Sequence, residues 1–302
     1  MPPISKPANS AYIIINPVAG FTNGDLLKRA CEHEFFAAGW QTRFHFTQKN
    51  EDLDQVIRQE IAADEMDLVV AAGGDGTIAA VAAALNGTNI PLGIIPAGTW
   101  NAIARHLRIP ALPQRAIRLM TGQHTLRKLD MMDLGDSIHA MNLGVGFSAD
   151  MVRNSDREQK RKKGNIAYFS NFFKQLFGLQ MQRYEILADG IRYKGRATEI
   201  FVANYGVVGL RFIEDRLNIA PDDGKVDILV LRARTILDIP LLIWDVFIKR
   251  EKRTPKYRLI SACKDITITT KPSIAVQADG EPLGLTPVHI RVLPQSIRVI
   301  AP

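Results

Sequence analysis

Leu68-Val69-Val70-Ala71-Ala72-Gly73-Gly74-Asp75-Gly76-Thr77 runs from a short apolar segment into three glycines around one acid and a threonine. Leu68 to Ala72 has the length and continuous apolarity of a buried parallel strand. Ile78 to Leu85, directly after the turn, is Ala-rich and reads as a helix stopped near Gly87. A strand feeding a helix through glycines puts unpaired backbone N–H groups and a partial positive charge where a phosphate can approach them. Thr77 adds a hydroxyl. The competing reading is a plain tight turn whose glycines supply positive φ angles.

The same alternation extends on both sides. Tyr12 to Ile15 is an apolar run ending at Asn16-Pro17. Leu27, Cys31, Phe35 and Ala38 recur at helical spacing, and Gly39 ends that helix. Phe44 and Phe46 mark a second strand ending at Thr47. Leu53, Val56, Ile57 and Ile61 mark a second helix with Asn50 as its cap. Leu92 to Ile95 is a fourth strand, and Asn101 to Leu107 starts another helix. Strands alternating with helices indicate a doubly wound parallel sheet, α/β in class. Ligands bind such sheets at the carboxyl ends of the strands. The loops there are Asn16-Pro17-Val18-Ala19-Gly20, Thr47, the glycine turn, and Pro96-Ala97-Gly98-Thr99-Trp100-Asn101.

After residues 126–130 the pattern changes to short alternating segments. They are His139 to Leu143, Glu185 to Ala188, Glu199 to Ala203, Val226 to Leu231, Asp265 to Thr269, Ser273 to Gln277 and Val288 to Val292. Turn signals at Asp189-Gly190, Asp223-Gly224 and Asp279-Gly280 separate them. This predicts an antiparallel β domain. The division expected is residues 8–128 and 129–302, with the last strand, near 296–300, packing back onto the first domain. Two stretches, around Arg157 to Phe177 and Leu237 to Arg253, read as helical.

Composition sets bounds. The net charge of +7 favours an anionic partner. Two distant cysteines fit no metal spacing and suit a reducing compartment. Met1 to Ser10 lacks the apolar core of a signal peptide, and Leu237 to Ile248 is too short to cross a bilayer. A cytoplasmic protein, soluble or peripheral, is expected. No G-x-x-x-x-G-K-[ST] motif and no protein-kinase signature occurs. Gly144-Val145-Gly146-Phe147-Ser148-Ala149 matches a dinucleotide fingerprint but lies among antiparallel strands, so it reads as packing or pocket backbone.

Asn16-Pro17…Gly20, Gly73 to Thr77, Pro96-x-Gly98-Thr99-x-Asn101 and Asp279-Gly280-Glu281 occur in that order. The ordered set resembles the diacylglycerol kinase catalytic-domain family, in particular its stand-alone bacterial lipid kinases. Sphingosine kinases and, more distantly, NAD kinases are relatives. The resemblance implies a nucleotide-binding α/β domain, a C-terminal β-sandwich domain and an active site in the cleft between them. It implies transfer of the γ-phosphoryl group of ATP, with Mg²⁺, to a lipid hydroxyl, diacylglycerol first among substrates. It implies ATP contacts from Asn16, Pro17, Val18, Ala19, Gly20, Thr47, Gly73, Gly74, Asp75, Gly76, Thr77, Ile78, Ala79, Gly98, Thr99 and Asn101. Glu281 would be the proton acceptor, with Asp75 and Asp279 as further catalytic acids. Asp223, with the carbonyls of Ala220 and Lys225, would hold a structural Mg²⁺.

Many members of that family carry Asp where this chain has Ala102. Asp75 is then the acid nearest the phosphates and a natural Mg²⁺ ligand. Judged by itself, Asp279-Gly280 is only a hairpin turn and Glu281 a solvated acid, and Pro221-Asp222-Asp223-Gly224 is a good β-turn without a metal. Two other readings stay open: a nucleotide-gated lipid-binding protein without turnover, and a kinase for a soluble alcohol. A lipid substrate implies peripheral membrane contact. Lys160 to Lys163 followed by Tyr168 to Phe177 is expected to make it, and Leu237 to Ile248 followed by Lys249-Arg250-Glu251-Lys252-Arg253 reads either as a second contact or as a buried helix whose terminal cations complement its dipole. No nucleic-acid partner is expected, and a homodimer is a compatible assembly.

Overall fold

A computed structural model describes residues 9–20, 23–49, 51–63, 65–154, 180–205, 217–233 and 254–302, with single positions 235, 238, 241, 244 and 245. The chain divides into two compact units. One comprises the chain up to Leu129 together with Gln295–Pro302, the other Asp130–Pro294.

In the first unit, β1 (Ser10–Ile15), β2 (Gln41–Phe46), β3 (Leu68–Gly73) and β4 (Leu92–Pro96) lie parallel in the order β2-β1-β3-β4. The end of β16 (Val288–Ala301) adds a parallel partner to β4, with Val299 beside Leu92. The strands β3 and β4 are buried along their whole length, as their unbroken apolar runs demand. Helix α1 (Gly24–Ala37) packs with α5 (Pro113–Thr121), and α2 (Leu53–Ala63) with α3 (Asp75–Leu85). Asn23 caps α1, its Oδ1 accepting from Asp25 N at 2.9 Å. The expected cap of α2, Asn50, lies outside the described residues. Asp52 takes that place, accepting from Gln55 N at 3.1 Å.

The second unit is a sandwich. One sheet runs β12 (Tyr257–Ala262), β11 (Val226–Leu231), β10 (Glu199–Ala203), β7 (Asn142–Gly146), β14 (Ala275–Ala278) and β15 (Glu281–Leu285), all antiparallel. The other joins the start of β16 to β13 (Asp265–Lys271), β8 (Gln182–Ala188) and β9 (Ile191–Ala197). Their inner faces share one core, in which Leu143, Val145, Ile200, Ile228 and Val276 meet Tyr184, Ile186, Ile266, Ile268 and Ile290.

Several elements differ from the sequence expectation. The single strand expected over His139 to Leu143 is broken between β6 (Ile138–His139) and β7, because the amides of residues 140–142 turn onto the Asp279 carboxylate. The strands β5 (Thr125–Asp133), β9, β12 and β15 were not legible. In β9 the charges of Arg192, Lys194 and Arg196 hide the alternation, and β15 carries Pro282 and Gly284. The expected helix over Arg157 to Phe177 lies outside the described residues. Of the stretch from Leu237, only Asp238, Leu241, Trp244 and Asp245 are described. No described helix is long and apolar enough to cross a membrane.

The last residues of the chain complete the first unit's sheet. Ile297, Val299 and Ile300 are buried, and Thr125 Oγ1 donates to the carbonyl of Ala301 at 3.2 Å. Ile300→Ala is expected to cost about 2–5 kcal/mol, like other large-to-small core changes. Urea unfolding followed by circular dichroism checks this; a loss under about 0.5 kcal/mol, the range of surface substitutions, would mean that the strand is not integral to the sheet.

Candidate functional site

At the carboxyl ends of β1, β3 and β4, three loops pack backbone against backbone. Asn16 N donates to Ala72 O at 3.0 Å, Ala97 N to Gly73 O at 2.9 Å, and Thr47 N to Ile15 O at 2.9 Å. The glycines are required by this closeness. A Cβ on Gly98 would lie 2.5 Å from Gly74 Cα, one on Gly20 2.2 Å from Ala97 O, and one on Gly73 2.7 Å from Thr77 Cβ. Of these only Gly20 has a positive φ, so the turn at residues 73–77 does not owe its glycines to backbone strain. Gly76 is different: it is exposed, and a Cβ there would meet nothing within 4 Å. Gly74, the N-cap of α3, has no side chain to satisfy the first N–H groups of that helix. An exposed glycine beside unsatisfied amides at a helix start is a floor for an anion.

The side chains around this floor are mostly committed to holding it. Asn101, in the left-handed region at φ 47°, folds its amide back onto Gly98, accepting from Gly98 N and donating to Gly98 O, both at 2.8 Å. It therefore cannot cap the helix that follows it, α4 (Ala102–His106). Asp75 does so instead, its Oδ1 accepting from Ile103 N at 3.2 Å. Asn16 Nδ2 donates to Thr77 Oγ1 at 2.9 Å, and Thr77 is buried. Ile78 and Ala79, expected at the ligand, have their side chains in the core, which leaves only their backbone for a contact. Pro17, Val18, Gly20 and Thr99 are exposed, while Ala19 and Thr47 are half-buried.

In the second unit, Asp279 and Gly280 form a two-residue hairpin with φ values of 50° and 84° between β14 and β15, and Glu281 opens β15 as an exposed residue. The Asp279 carboxylate accepts from Ala140 N (3.1 Å), Met141 N (3.0 Å) and Asn142 N (2.9 Å), with His139 Nδ1 at 3.3 Å. The Asp189-Gly190 hairpin repeats the device. Its φ values are 49° and 82°, and the Asp189 carboxylate accepts from the amides of Cys263, Lys264 and Asp265 at 2.7–3.0 Å. Asp279, expected as a catalytic acid, anchors the turn in this structure. Its oxygens are filled by backbone donors, as they are in a hairpin with no expected chemistry. Gly280 N also donates to Gln277 Oε1 at 2.9 Å, so the turn is held from two sides.

The expected metal set fits less well. Asp223 Oδ2 pairs with Lys225 Nζ at 2.9 Å, and its Oδ1 accepts from Lys225 N at 3.3 Å. A lysine ammonium already neutralises the one carboxylate of the set. The loop is fastened instead by Asp130, whose Oδ2 accepts from Gly224 N at 2.7 Å and whose N donates to Pro221 O. No group of three or more His, Cys, Asp or Glu side chains suited to a metal occurs among the described residues. Asp75 retains one carboxylate oxygen beyond its bond to Ile103, which suits a Mg²⁺ that keeps its waters and shares phosphate oxygens.

One acid escaped the sequence reading. Glu199 is buried at the start of β10, where a charge precedes Ile200-Phe201-Val202. Its carboxyl meets Ser148 Oγ at 2.5 Å and accepts from Ser148 N at 2.9 Å, in the first turn of α6 (Phe147–Asn154). Gly144 makes room: a Cβ there would lie 2.0 Å from Ser148 Oγ. Burial pushes the Glu199 pKa up to about 8, against the pull of the Ser148 hydrogen bonds, with the nearby Asp150 raising it further. Helix α6 packs on β14 and β15, so this neutral acid supports the wall that bears Glu281.

Comparison with known proteins gives the pattern a context. Residues 10–134 match the family model of the diacylglycerol kinase catalytic domain, and residues 142–301 that of the YegS C-terminal NAD kinase beta sandwich-like domain. A Synechocystis sp. protein is 31% identical over 97% of this chain and 70% of its own length. A Staphylococcus carnosus protein named "Putative lipid kinase" is 30% identical over 78% of this chain and 76% of its own. A crystal structure described as a diacylglycerol kinase from Bacillus anthracis shares the fold, with a TM-score of 0.77, 24% identity and 98% coverage of both chains.

Two outcomes follow from the geometry. Gly76→Ala is expected to leave melting unchanged, or to raise stability by about 0.4–1 kcal/mol, while weakening phosphate-ligand affinity at least ~10-fold, worth about 1.4 kcal/mol. Calorimetric titration beside a thermal melt checks both; unaltered affinity would remove Gly76 from the site. Glu199 binds a proton in the folded state between the ordinary carboxylate pKa of 4.5 and about 8. In that window the native state holds more protons than the unfolded one, so stability falls as pH rises. Melts of wild type and Glu199→Gln across that range should show the wild type losing ground steadily as pH rises; parallel curves would contradict the buried neutral acid.

Proposed function

This chain belongs to the diacylglycerol kinase catalytic-domain family, and on that premise we propose that it is an ATP-dependent lipid kinase transferring the γ-phosphoryl group to a lipid hydroxyl. Diacylglycerol is the first substrate to test, and other lipid alcohols, long-chain bases included, come next. The observation that carries the reading is the glycine floor. Gly74 and Gly98 are small because the loops touch, and Gly73 because the Thr77 side chain packs on it, whereas Gly76 is small where the protein leaves space open. A triphosphate suits such a floor, because its oxygens can take the amides at the start of α3.

The chemistry needs little covalent help from the protein. Phosphoryl transfer depends on positioning and on charge stabilisation. The amides of the turn would hold the phosphates, with Thr99 and the backbone of Asn16 to Gly20 as further walls. Bound Mg²⁺, held through the second oxygen of Asp75, would neutralise phosphate charge. Glu281 would take the proton of the lipid hydroxyl as its oxygen bonds to the γ-phosphorus and the bond to the β–γ bridging oxygen breaks. The anchored hairpin supports this role, because Asp279 and Gln277 fix the turn that immediately precedes Glu281. Leu241 and Trp244, both exposed and three residues apart at helical positions, support contact with a bilayer interface.

Ala102 favours a second reading, in which the nucleotide and lipid bind without turnover. Incubation with labelled ATP, Mg²⁺ and a panel of lipid alcohols in mixed micelles separates the two. The kinase reading expects a labelled lipid. It also expects Glu281→Gln to lower turnover by about 10²–10⁴-fold at unchanged melting temperature, since the side chain is exposed. Nucleotide binding without any labelled lipid would favour the second reading.

A further inference from the structure

The outer face of β13, β8 and β9 carries a row of like charges. Register puts Lys271 directly opposite Arg183, and Arg183 directly opposite Arg196. All three are exposed, and among the described residues none makes a short ion pair with a carboxylate, although Lys271 lies close enough to Glu185 to help hold its pKa down. In the adjacent row Lys194 faces Glu185, whose carboxylate is bonded by both Arg192 and Lys194 at 3.0 Å. The outward positions of the three strands thus hold five cations, Arg183, Arg192, Lys194, Arg196 and Lys271, against two acids, Glu185 and Asp265.

Like charges at directly opposed positions destabilise a sheet. Basic residues on an end strand are a common guard against edge-to-edge pairing, and that accounts for β9, which ends its sheet. It does not account for Arg183 on the inner strand β8, or for Lys271 beyond it on β13. A plane that keeps this repulsion fits an extended anionic surface.

We propose that the outer face of β13, β8 and β9 docks the chain onto an anionic phospholipid bilayer, an inference that rests on the lipid-kinase reading for the choice of a bilayer. Its outward positions include no aromatic side chain on which a nucleic-acid base could stack. Leu187, opposite Arg192 and on the far side of the Glu185 row, adds a partly exposed apolar side chain. Polybasic surfaces bind anionic leaflets through cations that lie within a Debye length of the headgroups.

The test is cosedimentation of the full chain, without nucleotide, with vesicles of phosphatidylcholine alone or mixed with phosphatidylserine. Wild type is expected to bind the mixed vesicles and to be released by high salt. Arg183→Glu, Arg196→Glu and Lys271→Glu together should weaken binding at least ~100-fold, at roughly fivefold for each cation removed. As a second variant, replacement of the same residues by Gln should weaken binding in the same direction with less change in charge. Because a row of three Glu still repels itself, folding is checked on the Gln variant, which should melt no lower than wild type once the opposed charges are gone. A control of equal charge change, Arg29→Glu, Arg115→Glu and Lys128→Glu, should bind much as wild type does.

Equal losses in the control and the triple variant would reduce the effect to net charge and overturn the proposal. So would unchanged vesicle binding by the triple variant. Preferential binding of a single-stranded oligonucleotide through the same residues would also overturn it. The kinase reading fails on a separate readout. If vesicles bind through this face but no lipid in the micelle panel is labelled, the surface stands and the activity does not. If lipids are labelled and the triple variant binds vesicles normally, the reverse holds.

Discussion

The approach of Gly74 to Gly98 is the constraint from which the first unit's site follows. Two loops at the ends of neighbouring strands can touch through their backbones only if neither has a Cβ at the contact. That contact carries the start of α3 and the segment leading to α4 side by side. It forces Asn101 to tie the Gly98 loop, which in turn obliges Asp75 to cap α4. The helix start that faces open space at Gly76 is what remains once these demands are met.

Acidic side chains in this protein serve architecture more than they serve reaction. Asp279 and Asp189 each gather three consecutive backbone amides beneath a two-residue hairpin. Asp130 fastens the Gly224 turn, and Asp75 caps a helix. Bonds from charged acceptors to backbone donors are stronger than neutral ones, and they fix loops that have little apolar surface of their own. Glu199 shows the opposite economy: buried and neutral, it braces Ser148 at the head of α6.

The α/β pattern of the first unit was legible because its strands are unbroken apolar runs between glycines and caps, as Leu68 to Gly73 illustrates. The hairpins were legible from Asp-Gly pairs. What was not legible depends on residues distant in sequence. Nothing local in Ile138 to Leu143 says that an aspartate about 140 residues onward will break the strand there. The roles of Asp130 and Asn204 are set by loops far along the chain, with Asn204 Nδ2 donating to the carbonyls of Asp130 and Ala140.

The last strand has a consequence for the order of events during synthesis. β16 begins in the second unit and ends in the first, where its terminal residues cover the β4 edge. Domains generally fold as units while the nascent chain emerges, the N-terminal one first. Here the first unit has all of its described helices, and all but one described strand of its sheet, long before residues 295–302 emerge. Until then the backbone of β4 offers an unpaired edge of the kind that invites association with other chains. Maturation of the first half therefore waits on emergence of residues 295–302, and the sandwich that precedes them has time to form before the sheet is closed.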